Sequence, residues 1–203
     1  MPDFNQQELS VLKKLNTPRK IQDFLNKLKT NFEPDGDTCR SPRMVLRKKE
    51  AHCVEGALLA ASTLRIHGHK PLVVDLTSNK KDYDHVIAVF KKNNFWGAIS
   101  KTNHAVLRYR EPIYKNIREL VMSYFHEYTT DKGEKTLRSY SMPVNLSRFD
   151  KLGWTASEKE IWYIPEYLLE VKHIPILNKS QITGLGKADP IEIKAGKLIE
   201  WKK

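Results

Sequence analysis

Ala51-His52-Cys53-Val54-Glu55-Gly56-Ala57-Leu58-Leu59-Ala60-Ala61 opens the stretch whose reading decides the fold, and Ser100 closes it. Between them lie a helix stop at His67-Gly68-His69, a strand at Pro71-Leu72-Val73-Val74-Asp75-Leu76 and a second strand at Asp84-His85-Val86-Ile87-Ala88-Val89-Phe90. A turn at Lys91-Lys92-Asn93-Asn94 leads into Phe95-Trp96-Gly97-Ala98-Ile99-Ser100. Ala57, Ala60, Ala61 and Leu64 share the helical face of Cys53, and small side chains there let a helix lie close on a sheet. Gly68 suits the left-handed position after the helix, with Pro71 shortly beyond. The other end is unexplained, because neither Ala51 nor His52 is a favoured N-cap residue. A small-residue helix followed by Val-, Ile- and aromatic-rich runs predicts an α+β fold with a cysteine-bearing helix packed on an antiparallel sheet.

The turn sets a register. If Phe90 and Phe95 flank a four-residue loop, His85 stands opposite Ser100, on the face shared by Ile87, Val89, Trp96 and Ala98. Asp84 then points to the opposite face.

Upstream, Leu9, Val11, Leu12 and Leu15 suggest a short lead-in helix. Thr17-Pro18 is an N-cap followed by a first-turn proline, and Ile21, Phe24, Leu25 and Leu28 form one buried stripe. Asp35-Gly36-Asp37-Thr38 is turn chemistry, and Ser41-Pro42 opens another helix. Downstream, Ile117 to Phe125 reads as a helix. Beyond it short strands are predicted around Tyr140, Trp162-Tyr163-Ile164 and Ile191-Glu192-Ile193. The predicted organisation is a core over residues 1–130 and a β-rich extension over 131–203 packed on it, or both as one continuous domain. No internal repeat or low-complexity run occurs, and Gly184-Leu185-Gly186-Lys187 lacks the strand and helix context of a phosphate loop.

A chain of 203 residues can bury a sizeable core. No stretch approaches the ~20 apolar residues that span a bilayer, and the first residues lack the basic and apolar regions of a secretory signal; a cytoplasmic protein without a membrane partner is expected. The net charge of +11 is scattered over the whole chain, as on a solvated surface, with no nucleic-acid recognition motif beside it. Nucleic acid is thus an unlikely partner. The two cysteines, Cys39 and Cys53, are too few for a disulfide framework.

Cys53 carries the chemistry. A thiol at a helix N-terminus has its thiolate favoured by exposed backbone N–H groups, and His85 is placed to act as its base. Ser100 is the candidate to orient the imidazole, with Asn103 in reserve. The alternative for Cys53 is a small buried hydrophobe. A metal reading would draw on His52, Cys53, His67, His69 and His85, but no tight ligand pair occurs among them; no metal or cofactor is expected.

The order of a helix-borne cysteine, a strand-borne histidine and then Trp96-Gly97-Ala98-Ile99-Ser100 resembles the transglutaminase-like superfamily, which has a papain-like core. Ala51-His52-Cys53-Val54-Glu55-Gly56-Ala57 and Leu107-Arg108-Tyr109-Arg110-Glu111-Pro112 are similar to a group of uncharacterised bacterial proteins within it. The resemblance implies a cysteine hydrolase, peptidase or acyl transferase working through a thioester on a peptide, protein or other acyl substrate. It casts Cys53 as nucleophile, His85 as base and Trp96 as a substrate-binding aromatic. The third triad member in that superfamily is an aspartate, where this chain has Ser100. A binding module on the same fold, or a basic nucleic-acid binder, are the competing expectations.

Overall fold

The computed structural model describes residues 4–202. In chain order the elements are α1 (Gln6–Lys14), α2 (Pro18–Lys27), β1 (Lys29–Thr30), α3 (Pro42–Lys48), β2 (Glu50–Ala51), α4 (Cys53–Ile66), β3 (Leu72–Ser78), β4 (His85–Lys92), β5 (Phe95–Ile99) and β6 (Arg110–Tyr114). They continue with α5 (Ile117–Met122), β7 (Leu137–Ser141), β8 (Val144–Asn145), a 3₁₀ helix (Leu146–Leu152), α6 (Tyr163–Glu170), β9 (His173–Pro175), α7 (Lys179–Thr183) and α8 (Pro190–Gly196). The class is α+β. One seven-stranded sheet runs β6-β5-β4-β3-β7-β9, with β8 beside β3, and its pairings are antiparallel.

Helices cover both faces of that sheet. On one face α4 lies against Val73, Val86, Ala88, Phe90 and Ile99, and α4 is buried throughout Glu55–Leu64. Its alanines let it sit this close. Leu12 of α1, Ile21 and Leu25 of α2 and Val45 of α3 close the same core. On the other face Val74, Leu76, Ile87, Val89 and Ala98 meet Leu120 and Val121 of α5 and the following Tyr124 and Phe125.

The helix ends follow the capping rules where the sequence spelled them out. Thr17 and Ser41 accept from the N–H groups of Lys20 and Met44, satisfying donors that no helical carbonyl reaches. Gly68 takes φ +86°, while His69 N–H donates to Leu64 and Gly68 N–H to Arg65. This pair of bonds is the Schellman ending.

Two expectations need correction. The β4–β5 turn is Asn93-Asn94 alone, because Lys92 pairs with Phe95 and Lys91 with Trp96. Both asparagines adopt positive φ, 50° and 66°, the conformation of the tight hairpin turn whose twist matches the strands. The strands therefore extend further than expected and the register moves by two residues, which leaves every side chain on its expected face. His85 pairs with Leu76 of β3, and the β4–β5 ladder ends at Ala88 and Ile99. Second, residues 131–203 are not β-rich, since most of their elements are helical. They supply β7, β8 and β9 to the seven-stranded sheet, and Val144, Phe149, Trp154, Ile164 and Leu168 pack in the α4 core. Tyr140 is in a strand as expected, but Trp162 caps α6 and Ile191–Ile193 lie in α8. Pro165 and Pro190 sit in the first turns of those helices, where a missing N–H costs nothing.

Candidate active site

Cys53 is the first residue of α4 and His52 is its N-cap. The missing cap is supplied in reverse: His52 N–H donates to the Glu55 carboxylate at 3.1 Å. Glu55 is wholly buried and draws in further donors, Thr38 Oγ1 at 2.9 Å, Arg40 N–H at 3.0 Å and Asn31 Nδ2 at 3.2 Å. So dense a shell of donors satisfies the hydrogen-bonding capacity of a carboxylate inside the protein. The His52 ring joins it: Nε2 lies 2.9 Å from the Thr38 carbonyl, 3.5 Å from Glu55 Oε1 and 3.7 Å from Glu33 Oε1. A carbonyl only accepts, so Nε2 carries a proton and Nδ1 is the ring atom left for the sulfur.

His85 opens β4 and is buried. By alternation it shares a face with Ile87 and Val89, whereas α4 covers the opposite face. Cys53 and His85 nonetheless meet, because His85 is the first residue of β4 and Cys53 the first of α4: their side chains are within hydrogen-bonding reach and line one cavity. His85 Nε2 lies 2.7 Å from Ser100 Oγ, and Ser100 Oγ donates to the Leu107 carbonyl at 2.5 Å. A hydroxyl has one proton. With that proton given to Leu107, Ser100 accepts from His85 Nε2–H, which leaves Nδ1 as the ring atom that can exchange a proton with the thiol.

Ser100 is itself held in place. Its N–H donates to Gln22 Oε1 at 2.9 Å and its carbonyl accepts from Gln22 Nε2 at 2.8 Å. The buried Gln22 of α2 thus imitates a strand partner just where the β4–β5 ladder has run out. Leu107 adopts φ +59°, sterically unfavourable for leucine. Its N–H is pinned to Glu127 at 2.8 Å, and Glu127 is paired with Arg110 at 2.7 Å.

The two imidazoles decide the state of the thiol. Burial acts to raise the Cys53 pKa, but hydrogen bonds and positive charge from His52 and His85 outweigh it and hold it down to about 5. Burial likewise opposes charge on His52, yet the Cys53 sulfur, Glu55 and the Thr38 carbonyl bring its pKa up to about 9. Cys39 is the opposite case. It is buried, its thiol faces the Ile161 carbonyl at 3.7 Å, and burial with the charges of Glu55 and Glu160 pushes it far above the ordinary thiol range. Both cysteines are free.

Cys53, His52 and His85 line a cavity of about 780 Å³ whose walls include Thr30, Lys101, Leu107, Glu127 and Ile193. That volume is in the range of pockets for small ligands or a few residues of chain. Lys101 is 2 % exposed; burial lowers its pKa to about 8, and its Nζ donates to the Leu28 carbonyl at 2.7 Å.

The other sequence candidates fall elsewhere. Asn103 lines the cavity, but its amide forms a reciprocal pair with the backbone of Trp201, 2.9 Å in each direction, and so is not the orienter of His85. Trp96 is not among the lining residues; it packs against the α5-side core with Lys91 Nζ 5.1 Å above its ring. Asp84 is spent on Ser78 N–H at 2.7 Å. His67 contacts the Leu12 carbonyl and His69 edges Phe90, away from Cys53. Among the described residues no group of three or more His, Cys, Asp or Glu is placed to hold a metal ion, and no helix is long and apolar enough to cross a membrane. Sequence reasoning missed Gln22, Glu55 and the role of His52. Only Glu55, three residues after the cap position, left a local signal, in the spacing of a capping box. Compared with family models and with curated proteins, the chain matches none of either.

Proposed function

We propose that the protein is a cysteine-dependent hydrolase or acyl transferase that attacks an amide or ester carbonyl, on a core of papain-like, transglutaminase-like type. The observation that carries this reading is the placement of Cys53 at the head of a buried helix, facing a cavity, with an imidazole on either side. A buried structural cysteine would have the environment of Cys39.

In the proposed reaction the Cys53 thiolate attacks the carbonyl carbon and a C–S bond forms. The first N–H groups of α4 have no helical acceptor and face the developing oxyanion. The Nδ1–H of protonated His85 passes its proton to the leaving amine or alcohol as the C–N or C–O bond breaks, giving a thioester. Neutral His85 then removes a proton from water or an acceptor nucleophile, which attacks the thioester and releases the thiolate. Ser100 keeps the His85 Nε2–H in place through both steps, so that Nδ1 is always the atom that exchanges protons. It orients the ring without supplying the charge that a triad carboxylate would.

The test is intact mass spectrometry after incubation with a panel of activated esters and amides. A covalent acyl adduct located on Cys53 and absent from Cys53→Ala is expected. Acylation at Cys39 or at lysines alone would reject the reading.

A further inference from the structure

Cys53 has two histidines, and they are wired differently. His85 is backed only by a neutral hydroxyl, whereas His52 is backed by the Thr38 carbonyl and by two carboxylates, Glu55 and Glu33. A ring whose outer nitrogen faces a carbonyl and two carboxylates is stabilised as the cation. A ring whose outer N–H rests on a hydroxyl can lose and regain a proton at its inner nitrogen with little change outside.

We infer that His52, held charged by Glu55 and Glu33, is a standing cation that keeps Cys53 as thiolate, while His85 alone shuttles protons. This rests on the catalytic reading above and divides its labour. Through the cycle His52 keeps both ring protons; the proton given to the leaving group comes from His85, and the proton taken from water returns to His85. The balance closes without a contribution from His52. The carboxylates explain how a second positive charge can form on His85 beside the same sulfur: they offset the charge of His52. Burial opposes charge on His52, but the Cys53 sulfur first and then Glu55 and the Thr38 carbonyl bring its pKa up to about 9, in the direction of a charged ring.

Other titratable groups face the pair. Arg40 lies 3.9 Å from Glu55, and on the Cys53 side Asp75 of β3, Tyr128 and Cys39 feel the charge of the sulfur. Arg40 shares Glu55 Oε1 with His52, while Asp75, Tyr128 and Cys39 act on the sulfur. His52 is also fixed by more than its ring, since its N–H caps α4 through Glu55 whichever side chain it carries. Replacement of the ring therefore keeps the backbone bond to Glu55 at the helix start.

The test follows the thiolate by its ultraviolet absorbance across pH, together with the pH dependence of Cys53 acylation by an activated ester, in the full chain. In His52→Gln the thiolate midpoint rises by about one to three pH units, the effect of removing one adjacent opposite charge. Acylation at neutral pH falls and is regained as the pH is raised. His52→Lys, which restores a cation, moves the midpoint back down. Glu33→Gln, at the half-exposed edge of the cluster, raises the midpoint by a smaller amount. In His85→Gln acylation is lost and no pH regains it. If His52→Gln leaves the midpoint in place while His85→Gln abolishes acylation, the standing-cation role is wrong and the catalytic reading survives. If wild-type Cys53 is not acylated at all, the catalytic reading itself fails, whatever the midpoints. If His52→Gln acylation is not regained at high pH, His52 handles protons and the division of labour is overturned.

Discussion

Gly56 is the tightest joint between the nucleophile and the residues that orient its base. A Cβ built there falls 2.4 Å from Lys101 Cβ and 3.0 Å from Lys101 Cγ. Carbon atoms prefer about 3.5–4.0 Å, so Gly56→Ala must drive α4 and the 100–101 segment apart by about 1 Å. Neither side yields easily. Ser100 is clamped by Gln22 on both backbone groups, and Lys101 is tethered by Nζ to Leu28. Helix propensity alone favours alanine by about 1 kcal/mol, whereas overpacking a rigid contact costs about 1–3 kcal/mol. A net loss of stability is expected, at about 2–4 °C of melting temperature per kcal/mol in a chain of this size. The larger effect is on chemistry, because Ser100 and with it His85 shift relative to Cys53; a displacement of about 1 Å can cost 10²-fold in rate. The assay is a coupling cycle with Lys101→Gly and Lys101→Ala, reading melting temperature and Cys53 acylation rate. Only Lys101→Gly removes the clashing Cβ, so it should rescue Gly56→Ala and Lys101→Ala should not. Equal rescue by both, or a Gly56→Ala protein as stable and reactive as wild type, would refute the reasoning.

Two further outcomes follow from single hydrogen bonds. Ser100→Ala strands both the His85 Nε2–H and the Leu107 carbonyl, so stability should fall by about 1–3 kcal/mol in denaturant unfolding and acylation should slow about tenfold. Ser100→Asp should not restore the wild-type rate, since a carboxylate can accept from His85 but cannot donate to Leu107; a variant faster than wild type would show that orientation through Leu107 is unimportant. Asn103→Ala removes two bonds to Trp201, each worth about 0.5–1.5 kcal/mol. Amide hydrogen exchange at Trp201 should quicken about tenfold or more while the His85 ring signals stay in place. Movement of those ring signals would return Asn103 to the role of orienter.

The parts of the fold that could be read from the sequence are those whose determinants are local. Thr17-Pro18, Ser41-Pro42 and Gly68 each carry their own capping chemistry, and the even spacing of His85, Ile87 and Val89 placed them on one face. The hairpin register is harder to read, because Lys91-Lys92-Asn93-Asn94 looks like one polar turn, although asparagine is among the few residues that tolerate the left-handed region. An offset of two residues kept the faces, and Ser100 met His85 in spite of it. Ile191 and Ile193 alternate like a strand, whereas Asp189-Pro190 with Glu192 carries the start signal of α8: Asp189 N–H donates to Glu192 at 2.7 Å. Gln22 could not have been found. A lone glutamine beside an apolar stripe gives no hint that its partner is Ser100, far along the chain. His52 does not carry the signature of a cap residue, because the cap bond comes from the Glu55 carboxylate and not from its own side chain.

The most direct measurement is the pH dependence of iodoacetamide alkylation, resolved by site, at Cys53 and Cys39 in the unmodified protein. A thiol flanked by two imidazoles should alkylate with a midpoint of about 5, with Cys39 unreactive at neutral pH because burial and the carboxylates of Glu55 and Glu160 disfavour its thiolate. A Cys53 midpoint in the ordinary thiol range near 8.5, or faster labelling of Cys39 than of Cys53 at neutral pH, would contradict the central claim that this sulfur is built to be a nucleophile.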